Sequence, residues 1–105
     1  MLPTSIKIKN NELPDTPGVY LMKDAAGTVL YVGKATSLRR RVRQHFERPH
    51  SNLIEEMTRL VEEIDYIEKP TALEALILEA NLIKLYWPKY NTDQKDDKSF
   101  LYLAI

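Results

Sequence analysis

The fold is decided by residues 18–33, which read GVYLMKDAAGTVLYVG. Two runs rich in branched and aromatic side chains surround a turn that contains Gly27, a residue suited to a positive φ, and this pattern predicts a β-hairpin. If the loop is residues 24–27, Tyr20 lies opposite Tyr31. Because side chains alternate along a strand, one face of the hairpin should then carry four of them: Tyr20, Met22, Val29 and Tyr31.

Three helices and one more strand are predicted after the hairpin: a helix from the N-cap Ser37 to about Phe46, a helix over 52–60, a strand over 61–68 and a helix over 72–86. The last helix has the clearest boundaries, because Thr71 and Glu74 form a capping box and Pro88 cannot continue a helix. It is nearly apolar all round, so we expect it to be central.

The chain should form one domain over residues 1–105. Residues 1–12 are interpreted as an N-terminal extension, and 92–105 as a loop with a possible edge strand at 100–105. The expected fold class is α/β, of the α+β type, with a small, mainly antiparallel three-stranded sheet flanked by helices. There is no cysteine and no apolar run long enough to span a membrane. A cytoplasmic protein is therefore expected. The domain is also expected to be monomeric.

Charged residues are unevenly distributed along the chain, although its formal net charge is zero. Residues 1–50 hold nine Lys/Arg and four Asp/Glu, and the stretch from Lys34 to Arg48 holds six cations and the single acid Glu47. Such a local field can attract phosphate groups, although a solvated helix face gives the same pattern.

At about 100° per residue, Arg41 and His45 share one flank of the first helix. Arg39 and Arg43 occupy the other flank and Arg40 points outward, so helix geometry leaves two candidate arginine flanks.

One carboxylate stands out in the helix over 72–86. Glu74, Asn81 and Lys84 define a solvent face, and Glu79 falls about 170° from its centre. A carboxylate that points into the protein needs a cation, a hydrogen-bond partner or a proton. Glu79 is therefore either salt-bridged to one of the arginines or a ligand of a hard divalent metal.

The hairpin tyrosines have two interpretations, as core aromatics or as catalytic groups. An unperturbed tyrosine has a pKa of about 10, so a catalytic Tyr31 would need help from the charge of Lys34 or from a bound metal. Phosphodiester hydrolysis requires a group that activates water, a group that stabilises phosphate charge and a metal for the leaving oxygen. Tyrosine, arginine and a metal-binding glutamate form a sufficient minimal set.

The motifs GVY at 18–20 and YVG at 31–33 resemble the paired tripeptides of the GIY-YIG nuclease family. The longer stretches PGVYLMKDAAGTVLYVGKATSLRRRV, EALILEANLIKLYWPKYN and KDDKS resemble the excinuclease branch of that family, the UvrC type. The likeness runs from about Leu13 to Leu103. It implies a small antiparallel sheet with flanking helices, in agreement with the order of the predicted elements.

The resemblance also implies a role for each residue that matches a family motif. Tyr31 corresponds to the proposed general base, Tyr20 assists it, and Lys34 is thought to tune it. The family spacing selects Arg41 as the essential arginine and Glu79 as the metal ligand, and it associates Asn91 with the site. His45 departs from the commonest pattern, which has tyrosine there. It could still hydrogen-bond to phosphate or water and add pH dependence near neutrality.

By this resemblance the expected activity is a Mg²⁺- or Mn²⁺-dependent cut in one strand of damaged DNA, on the 3′ side of the lesion. The implied partners are DNA and a UvrB-like subunit. The candidate DNA contacts are four cationic residues: Lys34, Arg39, Arg40 and Arg43. Two alternatives remain open: a stand-alone nuclease selective for DNA structure, and a catalytically weak DNA-binding module of the same fold.

Overall fold

The computed structural model describes residues 5–49 and 51–91. Within these ranges the chain forms four strands, three α-helices and one short 3-10 turn. The elements are β1 (Lys7–Ile8), β2 (Gly18–Lys23), β3 (Val29–Ala35), α1 (Leu38–Glu47), α2 (Asn52–Leu60), β4 (Glu63–Glu68) and α3 (Ala72–Tyr86).

The sheet has the order β1-β4-β2-β3, so β3 is an edge strand. β2 pairs antiparallel with both β3 and β4, whereas β1 pairs parallel with β4. The expected sheet of three strands is thus one strand too small, because the segment interpreted as an extension contributes β1. Two residues are too few to show an alternating pattern, and this strand was therefore missed. The possible strand at 100–105 lies outside the described residues.

The hairpin register is two residues away from the expected one, since Tyr20 lies opposite Gly33 and not Tyr31. The turn is one residue shorter than assumed, because the Asp24 N–H donates to the Thr28 carbonyl over 3.0 Å. A bulge supplies the second residue of the shift, since the pairing irregularity falls between Met22 and Lys23 of β2. A shift of two keeps the side-chain parity, so Tyr20 and Tyr31 still share a face.

The bulge places Leu30 as the extra residue of β3, between the partners of Met22 and Lys23. Beyond it the alternation is inverted, as expected at a two-against-one pairing. Val29 consequently packs with the cluster on the opposite face of the sheet, and the expectation that it accompanies Tyr20 was wrong.

The helices begin and end close to the predicted residues. Ser37 caps α1 by accepting the Arg40 N–H, and Thr71 caps α3 by accepting the Glu74 N–H. Trp87 rather than Pro88 closes α3, because its φ of 47° is left-handed and its N–H returns to the Ile83 carbonyl.

Two apolar layers sandwich the sheet. The layer beneath α1 and α2 includes Tyr20, Met22, Leu38, Val42 and Met57. The layer beneath α3 is smaller and consists of buried Val19, Leu21, Val32, Ala75 and Ile83. α3 is not central, contrary to expectation. It covers one face only and exposes apolar side chains, since Leu73 and Leu85 are 63% and 70% exposed.

Residues after α3 cover the free edge of β3. The Tyr90 N–H donates to the Leu30 carbonyl over 3.1 Å. The Asn91 amide makes two bonds to the backbone of Val32: its Oδ1 accepts the N–H at 2.9 Å and its Nδ2 donates to the carbonyl at 2.8 Å. Tyr90 also donates its hydroxyl to Glu56 of α2 over 2.8 Å. The edge strand is thereby paired on both sides along its centre.

Replacing Asn91 with Ala is expected to lower the free energy of unfolding by about 2–4 kcal/mol, because two buried backbone groups of Val32 lose their partners. Urea unfolding measures this loss. The control is Asn81→Ala, since Asn81 is an exposed residue of α3 and its loss should change stability by less than about 0.5 kcal/mol. Equal midpoints for the two variants would show that the edge cover contributes nothing.

Candidate active site at the edge strand

Three aromatic side chains from three elements meet on the α1 side of the sheet. The Tyr20 hydroxyl of β2 lies 2.6 Å from Nε2 of His45 on α1. The Tyr31 ring of β3 lies 6.1 Å from the Tyr20 ring and 5.3 Å from the His45 ring, measured between centroids. Tyr20 and His45 are buried, whereas Tyr31 is only half-buried at the sheet edge. Of the three, Tyr31 is therefore the one best placed to meet a molecule in solvent.

Gly33 is required by this packing. It lies opposite Tyr20, and a Cβ at this position would overlap the Tyr20 ring and hydroxyl. The side-chain-free position lets the Tyr20 hydroxyl pass over β3 and reach His45. The sequence motif alone did not reveal this role, although the correct hairpin register would have.

Burial is the main reason that the pKa of Tyr20 lies well above 10, and Tyr31 adds to the effect. The Arg41 guanidinium opposes it by charge and hydrogen bonding, and the Glu79 carboxylate raises the pKa further. Tyr20 therefore keeps its proton at neutral pH and can donate it to His45 when Nε2 is unprotonated. Because the charges of Arg41 and Glu79 both act on the pKa of Tyr20, these two side chains lie near its hydroxyl.

Glu79 occupies the middle of the inward face of α3. It is 4% exposed, and Ala75 and Ile83, one turn away on either side, are also buried. The expectation that this carboxylate points into the protein is confirmed. In the described residues, no group of three or more His, Asp or Glu side chains could hold a metal ion. Among the residues that the structure describes, a metal here would have Glu79 as its carboxylate, with water and substrate as further ligands, a pattern that suits Mg²⁺.

Arg41 lies at the surface beside these groups, on the same flank of α1 as His45. Its Nη1 donates to Oε1 of Gln44 over 3.2 Å. Gln44 holds the guanidinium from one turn further along α1, a contact that the sequence analysis missed although the i, i+3 spacing makes it possible.

Lys34 is on the opposite face of the sheet from Tyr31. The two residues are three positions apart in β3, and alternation sends their side chains to different faces. Lys34 shares its face with Val32, which packs beneath α3, and it lines a surface cavity with Arg41 and the first turns of α3. The structure brings Lys34 together with Arg41 at this cavity.

The arginines of the other α1 flank form a separate groove. Arg39, Arg40, Arg43 and Arg48 line it together with Asp15 and Glu47. Arg39 already uses one of its donors within the protein, because its Nε donates a hydrogen bond to the Leu13 carbonyl over 3.1 Å. Arg40 connects the groove to Arg41, since both line a smaller cavity between them.

The site residues expected from sequence thus fall into three groups. The structure gathers Tyr20, Tyr31, Arg41, His45 and Glu79 around the centre of β3. Asn91 lies at the outer edge of the same strand and contacts its backbone. Lys34 and the groove arginines lie beside the cluster. No helix in residues 5–49 or 51–91 is long and apolar enough to cross a membrane.

Comparisons with known proteins identify the family of this chain. Residues 16–92 match the family model of the UvrC-like GIY-YIG domain. UvrABC system protein C of Clostridium botulinum is 48% identical over 107 aligned residues, which cover 100% of this chain and 17% of the relative. The chain therefore spans only about one sixth of the length of such curated relatives.

Solved structures show the same fold. The magnesium-bound GIY-YIG N-terminal endonuclease domain of UvrC from Thermotoga maritima matches with a TM-score of 0.69 and 40% identity, covering 75% of this chain and 86% of that one. A tyrosine-to-phenylalanine point mutant of that domain, bound to its catalytic divalent cation, matches with the same TM-score, identity and coverage. The chain belongs to the family of UvrC-like GIY-YIG domains.

Proposed function

We propose that this chain is a divalent-metal-dependent DNA endonuclease domain that makes the 3′ incision of nucleotide excision repair. The observation that carries the proposal is Glu79, a buried carboxylate of α3 whose charge acts on the same Tyr20 hydroxyl that Arg41 and His45 of α1 contact. The names of the relatives, a UvrABC system protein and an endonuclease domain bound to a catalytic divalent cation, support the same activity.

The residues of this chain divide the work of phosphodiester hydrolysis. Tyr31, the half-buried tyrosine, orients the attacking water and, in its phenolate form, accepts the proton of that water; a neighbouring positive charge favours this form. Arg41 donates to the phosphate oxygens and stabilises the charge that grows on them in the transition state. Tyr20 stays protonated, because burial raises its pKa well above 10, so it does not take up the proton of the attacking water. Its hydroxyl is fixed in place by its contact with His45.

Glu79 would hold the metal, and Mg²⁺ or Mn²⁺ fits a site with a single carboxylate and several water ligands. When bound, such an ion supplies Lewis-acid stabilisation of the leaving oxygen. The inner face of α3 fixes the position of the carboxylate, since Glu79 lies between Ala75 and Ile83, one turn away on either side, and all three are buried. Asn91 contributes from outside the reacting groups by holding β3 in place through the Val32 backbone.

The groove formed by Arg39, Arg40 and Arg43, continued by Lys34 and Arg41, is the proposed path of the DNA backbone. The high share of arginine suits phosphate recognition. We further propose that the domain works as a monomer in the cytoplasm, as part of a larger excinuclease that also binds a UvrB-like subunit.

Replacing Tyr31 with Phe is expected to slow single-turnover nicking of a lesion-containing duplex by about a hundredfold, because the hydroxyl that activates water is lost. Tyr86→Phe is the matched control, since Tyr86 is an exposed tyrosine at the end of α3. Cleavage is measured with Mg²⁺ and DNA in excess of the dissociation constant. Unchanged cleavage by Tyr31→Phe would rule out this role for Tyr31.

A further inference from the structure

A cavity of about 410 Å³ opens between the end of β3 and the first turns of α3. Its walls differ in chemistry. One wall carries the cations Lys34 and Arg41, and the other is built from the apolar residues Ala72, Leu73, Ala75 and Leu76. A volume of this size is within the range of small-molecule sites. The combination suits a ligand that is anionic at one end and apolar at the other.

The apolar wall is open to solvent. Leu73 is 63% exposed and Leu76 is 38% exposed. Exposed leucines on their own need no explanation, and Leu85 of the same helix is 70% exposed. Leu73 and Leu76 differ from Leu85 because they face two cations across a cavity.

The cavity adjoins the proposed reaction centre. Ala75 in its wall lies one helical turn before Glu79 on the same face of α3, a rise of about 6 Å. Arg41 belongs to both, since it lines the cavity and interacts with the Tyr20 hydroxyl. A phosphate held by Arg41 would therefore place its neighbouring nucleotide over the apolar wall.

We propose that this cavity is a nucleotide subsite for the residue that flanks the cleaved phosphate. Lys34 and Arg41 bind the phosphate, while Leu73 and Leu76 contact the sugar and the face of the base. Leucines inserted beside bases are a known way of holding distorted DNA. This inference rests on the proposed function, and it gives Lys34 a role that is compatible with its face of the sheet.

The occupancy of the subsite can be tested by NMR on protein with labelled leucine methyl groups, titrated with the dinucleotide d(TpT) and separately with inorganic phosphate. We expect d(TpT) to shift the methyl signals of Leu73 and Leu76 and to leave those of Leu85 unchanged. Inorganic phosphate should leave all three unchanged. If d(TpT) moves none of these methyl signals, or moves all three alike, the proposal is overturned.

The double variant Leu73→Ser with Leu76→Ser supplies a second measurement, and Leu85→Ser is its control. Loss of the apolar contacts should raise the dissociation constant for d(TpT) by about tenfold and leave that for inorganic phosphate unchanged. The control should bind both as the unmodified protein does. Unchanged affinity of the double variant for d(TpT) would contradict the subsite.

These outcomes separate the subsite from the proposed function. A protein that binds d(TpT) through Leu73 and Leu76 but never nicks DNA would contradict the nuclease proposal and support the subsite. A protein that nicks DNA while d(TpT) leaves both leucines unaffected would support the nuclease proposal and contradict the subsite.

Discussion

Replacing Glu79 with Gln is expected to reduce metal-dependent nicking by at least about a thousandfold. The neutral amide keeps the size of the side chain but removes the charge that binds a divalent cation, and Lewis-acid catalysis contributes several kcal/mol to such reactions. Manganese binding, followed by the loss of the free-ion EPR signal, should weaken in parallel. The fold should persist, because a buried carboxylate is replaced by a less costly group.

Glu74→Gln is the matched control for this experiment. Glu74 lies on the same helix but is exposed and accepts a hydrogen bond from Thr71 in the cap, a contact that glutamine can also make. This variant should bind manganese and nick DNA as the unmodified protein does. If Glu79→Gln retained both properties, Glu79 would be excluded as the metal ligand.

Replacing Arg41 with Ala is expected to lower the single-turnover rate on bound DNA by about a hundredfold to a thousandfold, as when a donor to a transition-state oxyanion is removed. Arg43→Ala, on the opposite flank of α1, should leave that rate unchanged once DNA saturates the protein. It should instead weaken DNA binding and reduce the log–log salt slope by about 0.9, the value for one phosphate contact.

Quench-flow measurements at saturating DNA, combined with binding titrations at several salt concentrations, separate these two effects. The assignment of the two arginine flanks would be reversed if Arg43→Ala slowed the reaction of bound DNA and Arg41→Ala affected binding alone. Helix geometry leaves both flanks open, whereas the family spacing and the neighbours of Arg41 in the fold both make it the catalytic candidate. Its guanidinium reaches the Tyr20 hydroxyl, whereas Arg43 lines the separate groove.

The helices could be predicted because their signals are local. Ser37 and Thr71 cap α1 and α3 as their sequences indicate. The inward direction of Glu79 followed from helical periodicity alone, because the polar residues of α3 mark its outer side. This carboxylate is the part of the site that physical reasoning on the sequence identifies most directly.

Features that depend on pairing between elements could not be predicted. The hairpin register was wrong because the turn at Asp24 is short and Leu30 forms a bulge, and neither leaves a clear mark in the sequence. The role of Gly33 beneath Tyr20 depends on that register. The tuning of Tyr31 by Lys34, which the family resemblance implies, stays a prediction; the sequence did not reveal that alternation along β3 sends the two side chains to opposite faces.

α3 shows a different limit of sequence analysis. An apolar helix is expected to be surrounded by protein, yet this one lies on a single face of a four-stranded sheet and leaves Leu73, Leu85 and Trp87 exposed. The sequence of a helix shows how many of its residues are apolar and on which sides they lie. It does not show how much of that surface the rest of the protein covers. The proposed nucleotide subsite gives part of this exposed surface a ligand.

The most direct test of the account is a crystal structure of the protein soaked in Mn²⁺, with the metal located by anomalous scattering. We expect a peak at about 2.1–2.2 Å from a carboxylate oxygen of Glu79, with water as its remaining ligands and with Tyr31 and Arg41 facing the same solvent pocket. A manganese peak at another carboxylate, with none at Glu79, would contradict the proposed active site.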